Sequence, residues 1–309
     1  MNINEAVEKF SSGNSLKKNE IKEVFLSIMN NECNDAEIIS FLMTLKTKGE
    51  TVEEITGAAE VLREMSQKLK LNSQELVDTC GTGGDGQNTF NISTAAALVA
   101  CAAGARIAKH GNRSFTSKSG SADVLEALGV NIDLSPESMS QILEEVGIVF
   151  MFAPLLHPAM RHVGPVRKEL GFSTVMNILG PLTNPATVSR QLVGVSDRNL
   201  VGLVVETLRE LGHDRAMVVY GQPGMDEVSP LGSTVVADLS GDDITEYVIS
   251  PADYGMEVAT AEELAGGEPI ENAEVVSRIL ENRGRVGARN AVVLNAAAAL
   301  YVSGVADTM

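Results

Sequence analysis

The chain has 309 residues, 44% hydrophobic and 21% charged, the balance of an ordinary globular protein with room for one large domain or two smaller ones. Its net charge of −17 argues against nucleic acid as a partner, and no run approaches the ~20 apolar residues that cross a bilayer. Three scattered cysteines (Cys33, Cys80, Cys101) exclude a disulfide framework or a C-x-x-C metal site; with a polar, acidic start, a cytoplasmic protein is expected.

From Asn4 to about Lys70 the apolar spacing is helical. Ile21, Val24, Phe25 and Ile28 form one face, Ile38, Ile39, Leu42, Met43 and Leu45 a second, and Val52, Ile55, Ala59, Leu62 and Met65 a third. Asn34 and Asp35 are cap candidates, and Gly49 ends a helix. After residue 75 strand-like runs appear at 76–80, 105–109, 148–152, 192–195, 216–220, 234–239 and 291–294. Helical stretches at 121–129, 136–146 and 199–212 lie between them. That alternation predicts a largely parallel sheet covered by helices. Between Pro158 and Pro185 it gives way to helix-like sequence punctuated by Gly and Pro, expected to pack back on the N-terminal helices. The expected fold is therefore α/β. A small, discontinuous all-α domain (1–70 and about 160–187) accompanies a larger α/β domain (about 71–159 and 188–309) with a mainly parallel central sheet.

Residues 81–94, GTGGDGQNTFNIST, constrain function most. They join the apolar run Leu76–Cys80 to the Ala-rich helix predicted over Ala95–Ala103. Glycine permits positive φ and close approach of a ligand, and the helix that follows offers unpaired N–H groups and the positive end of its dipole. With Asn91, Ser93 and Thr94 crowding that end, the loop reads as a phosphate site. No Lys follows the last Gly, so it is not a Walker loop, and the G-x-G-x-x-G spacing of dinucleotide folds is absent. Asp85 beside a phosphate is repulsive unless a cation or a ligand hydroxyl lies between them. The next third agrees: residues 101–199 carry nine basic and eight acidic side chains, the one third that is not acidic.

A second motif, Lys109 to Gly129, starts at the end of the next predicted strand and so opens on the same sheet edge. Lys109, His110, Asn112, Arg113, Ser114, Ser117, Lys118, Ser119 and Ser121 make it polar and cationic, and Gly111 and Gly120 leave it flexible. Asp226 and Glu227, after the strand at 216–220, read as ligands for a hard cation such as Mg2+, which takes few carboxylates and keeps water and phosphate oxygens. Arg167 in the punctuated segment reads equally as a carboxylate partner or as a surface residue. No G-x-S-x-G elbow or H-E-x-x-H helix supports nucleophilic or zinc chemistry.

Together GTGGDGQNTFNIST, KHGNRS with SGSADVLEALG, MFAPLLHPAMRHVGPVRKELG, NILGPLTNP and MDE resemble the anthranilate phosphoribosyltransferase family, from the helical start to about residue 300. The resemblance implies transfer of the phosphoribosyl group of 5-phosphoribosyl 1-pyrophosphate (PRPP) to anthranilate. It also implies a homodimer formed through the helical domain, an active site between the domains, and Mg2+, two ions per subunit. Carried over by motif, Gly81, Gly84 and Asp85 would hold the pyrophosphate and ribose side of PRPP. Thr89, Asn91, Ile92, Thr94 and Lys109 would bind its phosphate end. The loop His110, Gly111, Asn112, Arg113, Ser114, Ser117 and Ser121 would close over it. Gly81, His110, Asn112 and Arg167 would hold anthranilate. Ser93 would ligate one Mg2+, and Asp226 with Glu227 the other. The alternatives on one scaffold are a pyrimidine nucleoside phosphorylase and a non-enzymatic nucleic-acid-binding paralogue.

Overall fold

The computed structural model describes residues 1–71, 75–114 and 118–309. Four helices come first: α1 (Ile3–Ser11), α2 (Lys18–Met29), α3 (Asp35–Lys48) and α4 (Val52–Met65). Asn2, Asn34 and Thr51 each accept from a backbone N–H three residues on, while Glu5, Glu37 and Glu54 reach back, so three of these helices start on a reciprocal cap. Gly49 ends α3 at φ +89°, which a side chain would resist. Ile21, Val24, Phe25 and Ile28 are buried on α2, Ile38, Leu42 and Leu45 on α3, and Ile55, Ala59 and Leu62 on α4. Met43 departs from the expected face, at 45% exposed.

The elements that follow alternate: β1 (Leu76–Gly81), α5 (Ile92–Ala102), β2 (Arg106–Gly111), α6 (Ser121–Ala127), α7 (Pro136–Val146), β3 (Ile148–Phe152) and α8 (Ala153–Leu156). Then come α9 (Gly164–Leu170), α10 (Val175–Leu182), β4 (Arg190–Gly194), α11 (Leu200–Glu210), β5 (Arg215–Gly221), β6 (Thr234–Ser240) and β7 (Asp243–Ile249). Three helices, α12 (Ala261–Leu264), α13 (Pro269–Leu280) and α14 (Val286–Ser303), close the chain. The strands form a seven-stranded sheet in the order β3-β2-β1-β4-β5-β6-β7, parallel through β5 and antiparallel at β6 and β7.

Two sequence expectations are corrected. Residues 291–294 are not a strand but the middle of α14. Four apolar residues alone do not separate a buried strand from a buried helix, and the Ala-rich sequence that follows carries this one as helix. Strand β7, at 243–249, had no counterpart in the sequence reading. It is a largely exposed edge strand with Asp243, Thr245 and Glu246, joined to β6 by a two-residue turn at Gly241 (φ +60°), so little apolar pattern marks it.

Side chains alternate across the sheet. Val193, Val218 and Leu239 share one core with α11, the N-terminal helices and Val166, Ile178 and Leu182 of α9 and α10. Val77, Ile107, Leu192 and Met217 face α5, α13 and α14. The 158–185 segment thus packs against α3 and α4. Buried polar contacts tie it to α4 and to the sheet. Arg63 Nε donates to the Leu182 carbonyl at 2.7 Å, Gln191 Nε2 to Pro181 at 2.6 Å, and Asn184 Nδ2 to Ala108 at 2.9 Å. Among the described residues no helix is long and apolar enough to cross a membrane.

From β1 the chain moves outward to β2 and β3, then crosses back to β4 on the other side of β1. This reversal opens a crevice at the carboxyl ends of β1 and β4, where open α/β sheets bind ligands.

Candidate active site

Gly81 and Gly194 are register partners at that crevice, the last residues of β1 and β4. Asp226, in the loop after β5, lies over both. A Cβ on Gly81 would stand 2.2 Å from Asp226 Oδ2, and one on Gly194 would stand 1.6 Å from the Asp226 carbonyl oxygen. Two missing side chains therefore make the slot that Asp226 fills. Asn295 of α14, fully buried, holds the next turn: its Oδ1 accepts from the Val228 N–H and its Nδ2 donates to the Val228 carbonyl, both at 2.9 Å. Sequence reading did not single out Gly194 or Asn295. A glycine ending a strand was the one available signal, and it was not specific.

The glycine loop curls over the same point, with Gly83, Gly84 and Gly86 at φ +69°, +76° and +67°. The Gly83 N–H donates to Asp226 Oδ2 at 2.7 Å, and the Asp85 carboxyl lies against that of Asp226. The Ser93 N–H, in the first turn of α5, donates to Glu227 Oε1 at 3.0 Å. Lys109 Nζ reaches across from β2 to the Thr79 carbonyl and to Ser93 Oγ, at 3.3 Å in the second case. Gly81, Asp85, Ser93, Lys109, Asp226 and Glu227, drawn from β1, the glycine loop, α5, β2 and the loop after β5, thus form one connected cluster.

The charges in that cluster are under strain. Burial pushes Asp226, Glu227 and Asp85 above the usual carboxylate range, and repulsion adds to it, Asp85 acting on Asp226 and Asp226 on Glu227. The Lys109 ammonium draws Glu227 back down. Oxygen-only donors held too close for their own charge suit a hard divalent cation. Among the described residues no trio of His, Cys, Asp and Glu is gathered into a ready-made metal site. Such an ion would complete its shell from water and substrate oxygens, as Mg2+ does. Burial also pushes the Cys80 thiol well up, which suppresses its thiolate chemistry.

The rest of the phosphate loop is anchored from the carboxyl-terminal part of the chain. Thr89 bridges Ala265, the Phe90 N–H donates to the Leu264 carbonyl at 3.0 Å, and the Gly266 N–H to that of Asn88 at 2.8 Å. Ile92 is buried, and so is Thr94, whose Oγ1 has no partner among the described residues. Asn91 is the N-cap residue of α5, yet its side chain makes no cap bond.

The second loop is organised by Asp123, which accepts from the N–H groups of Ser114 at 3.0 Å and Gly120 at 2.8 Å. Arg113 pairs with Asp123 and Glu126 of α6 and lies over the Phe152 ring, 5.4 Å from its centroid. Ser121 Oγ donates to the Asn112 carbonyl at 3.3 Å. A Cβ at Gly111 would stand 2.3 Å from Ser121 Oγ, so that limb closes only on glycine. Ser117 lies outside the described residues. The His110 ring is buried beside His157 (centroids 5.1 Å apart), and the His110 backbone N–H donates to Asp78 Oδ1 at 3.0 Å. Burial, then His157, lowers its pKa to about 3, so it is neutral. Arg167 sits on α9, its pKa lowered by burial. The connector after α9 meets the glycine loop: a Cβ at Gly84 would lie 3.2 Å from Ser173 Oγ, and Lys46 of α3 donates to the Ser173 carbonyl.

Comparison with known proteins agrees along the whole chain. The a/b domain of the glycosyl transferase family matches residues 73–309, and the helical bundle domain of that family matches 4–66. The anthranilate phosphoribosyltransferase of Acetivibrio thermocellus is 48% identical over 99% of this chain and 89% of its own. The solved enzyme of that name from Thermus thermophilus superimposes with a TM-score of 0.92 at 41% identity, covering 98% of this chain and 90% of its own. That of Saccharomyces cerevisiae, solved in complex with PRPP and Mg, does so with a TM-score of 0.88 at 28% identity over 98% and 88%. Neither a nucleoside phosphorylase nor a nucleic-acid-binding paralogue is favoured by these relatives.

Proposed function

This chain belongs to the anthranilate phosphoribosyltransferase family, and we propose how its residues divide the work of that reaction. The enzyme transfers the 5-phosphoribosyl group of PRPP to the amine of anthranilate and releases pyrophosphate. Gly81, Gly84 and Asp85 face the pyrophosphate and ribose. Thr89, Asn91, Ile92, Thr94 and Lys109 hold the phosphate end through the amino end of α5 and the buried ammonium. Ser93 is a ligand to one Mg2+, and Asp226 with Glu227 to a second. His110, Gly111, Asn112, Arg113, Ser114, Ser117 and Ser121 form the covering loop. Anthranilate sits against Gly81, His110 and Asn112, with Arg167 forked onto its carboxylate.

An arylamine is neutral at pH 7 and already nucleophilic, so the site needs no strong base; neutral His110 is consistent with that. The difficult event is loss of pyrophosphate as positive charge grows on the ribose. Mg2+, when bound, neutralises the leaving group. The protein supplies preorganised donors, from the Gly84–Gly86 backbone and Lys109, and holds the two substrates in line. The reading rests above all on the Gly81–Gly194 slot that seats Asp226 at the sheet's switch point. We also propose a homodimer through the N-terminal helices, where Leu26 and Met43 are 37% and 45% exposed; the sedimentation mass checks it.

The test is anthranilate fluorescence consumed with PRPP and Mg2+, a clean signal because the chain has no Trp. Asp226→Ala with Glu227→Ala should remove most of the Mg2+-dependent rate. Unchanged kinetics would remove the metal role from this pair.

A further inference from the structure

Asn272, on α13, is far in sequence from both substrate loops, yet it is 2% exposed and its carboxamide is committed on both sides. Its Oδ1 accepts from the Gly267 N–H at 2.7 Å, and its Nδ2 donates to Asn91 Oδ1 at 3.0 Å. The same Asn91 oxygen accepts from Ser119 Oγ at 3.2 Å, and Asn91 Nδ2 donates to the Ser119 carbonyl at 3.1 Å. Asn91 is thus clamped between α13 and the loop that precedes α6.

Asparagine is among the strongest N-cap residues, since its oxygen accepts from the N–H groups of the first helical turn. Asn91 stands at that position of α5 with the bond unmade. Asn272 and Ser119 occupy the oxygen that would make it. We infer that Asn272 is a positioning residue for PRPP. At the amino end of α5 the Ile92 N–H donates to the Phe90 carbonyl at 2.7 Å and the Ser93 N–H to Glu227, so by holding the Asn91 side chain away Asn272 leaves the Thr94 N–H for the ligand's phosphate rather than for a competing internal cap. Resting on the reading of that turn as the phosphate site, the inference adds how the site is kept open. It also gives the α12–α13 segment, which pairs with the phosphate loop through Leu264 and Gly266, a part in substrate affinity.

Asn272→Asp keeps shape but replaces the donor with an acceptor facing the Asn91 oxygen. Held then by Ser119 alone, Asn91 competes by up to the worth of one N-cap, about 1 kcal/mol, or a rise of up to about fivefold in the KM for PRPP. The KM for anthranilate should stay within about twofold, because that substrate does not use the turn. Asn272→Ser, too short to reach Asn91, should do the same and serves if the Asp variant is poorly folded. In an Asn91→Ala background, which cannot cap, either substitution should add no further loss. Equal factors in both backgrounds, or parallel changes in both KM values, would overturn the relay. Failure of the wild-type protein to saturate with PRPP would instead overturn the phosphate reading beneath it.

Discussion

Gly194→Ala is the sharpest probe of the site, because Gly194 contributes no functional group to it. The added methyl would stand 1.6 Å from the Asp226 carbonyl oxygen and 2.2 Å from its carbonyl carbon. Both are backbone atoms, so no rotamer change relieves the clash. Reaching ordinary contact needs a displacement of roughly 2 Å, and either β4 or the Asp226–Glu227 loop must give way. β4 is hydrogen-bonded between β1 and β5, whereas the loop is not part of the sheet, so the loop moves. Misplacing a functional group by about 1 Å costs about 100-fold. The expected loss in kcat/KM is therefore at least about 100-fold, about 2.7 kcal/mol in the barrier, with the Mg2+ requirement shifted to higher concentration. Gly202→Ala, in the first turn of α11 where the new methyl meets nothing within 4 Å, is the control. It should leave activity unchanged and stabilise by about 0.4–1 kcal/mol. The assay is anthranilate fluorescence across a Mg2+ titration, with thermal melts of each variant. Gly194→Ala with wild-type rate and Mg2+ dependence would refute the slot.

Arg167→Ala should raise the KM for anthranilate far more than that for PRPP; equal effects would contradict the carboxylate assignment. The effect of Mg2+ on stability should depend on pH with a definite sign. Asp226 has an ordinary value of 3.8 and a folded value of about 6. By itself it favours folding at low pH, and that contribution is lost as pH rises through about 6. Mg2+ offsets the burial of the charge and the repulsion from Asp85 that together cause the shift, so its stabilisation should be larger at pH 7.5 than at pH 5, where protons compete for the same oxygens. Equal rises in Tm at the two pH values would speak against ions at these carboxylates. His110, His157 and His213 act the other way. Burial lowers them to about 3, 4 and 3 from 6.5, so their contribution is whole above 6.5 and is lost as pH falls through about 4 to about 3.

Much of this protein is legible in its residue order. Helical periodicity marked α2, α3 and α4, because one buried stripe repeats every turn whatever the helix packs against. The GTGGDG loop declared its chemistry because positive φ, lack of a Cβ and a following helix are local properties. What α14 and β7 are was not local. The apolar run at 291–294 suits strand or helix until its neighbours are counted, and β7 is an exposed edge with little apolar pattern to read.

The candidate site divides in the same way. Asp226 and Glu227 can be named from sequence, but the reason they reach the phosphate loop cannot. Gly81 and Gly194 lie more than a hundred residues apart, and only parallel pairing of β1 with β4 makes them one slot. Asn91 likewise reads from sequence only as one of the short polar residues crowding the start of a helix. The fold gives its oxygen to Asn272, 181 residues away, and so leaves the first turn of α5 without a side-chain cap. Sequence specified the functional groups, since their chemistry travels with the residue. Tertiary structure decided which of them meet and which are kept apart, since both depend on contacts that no local pattern encodes.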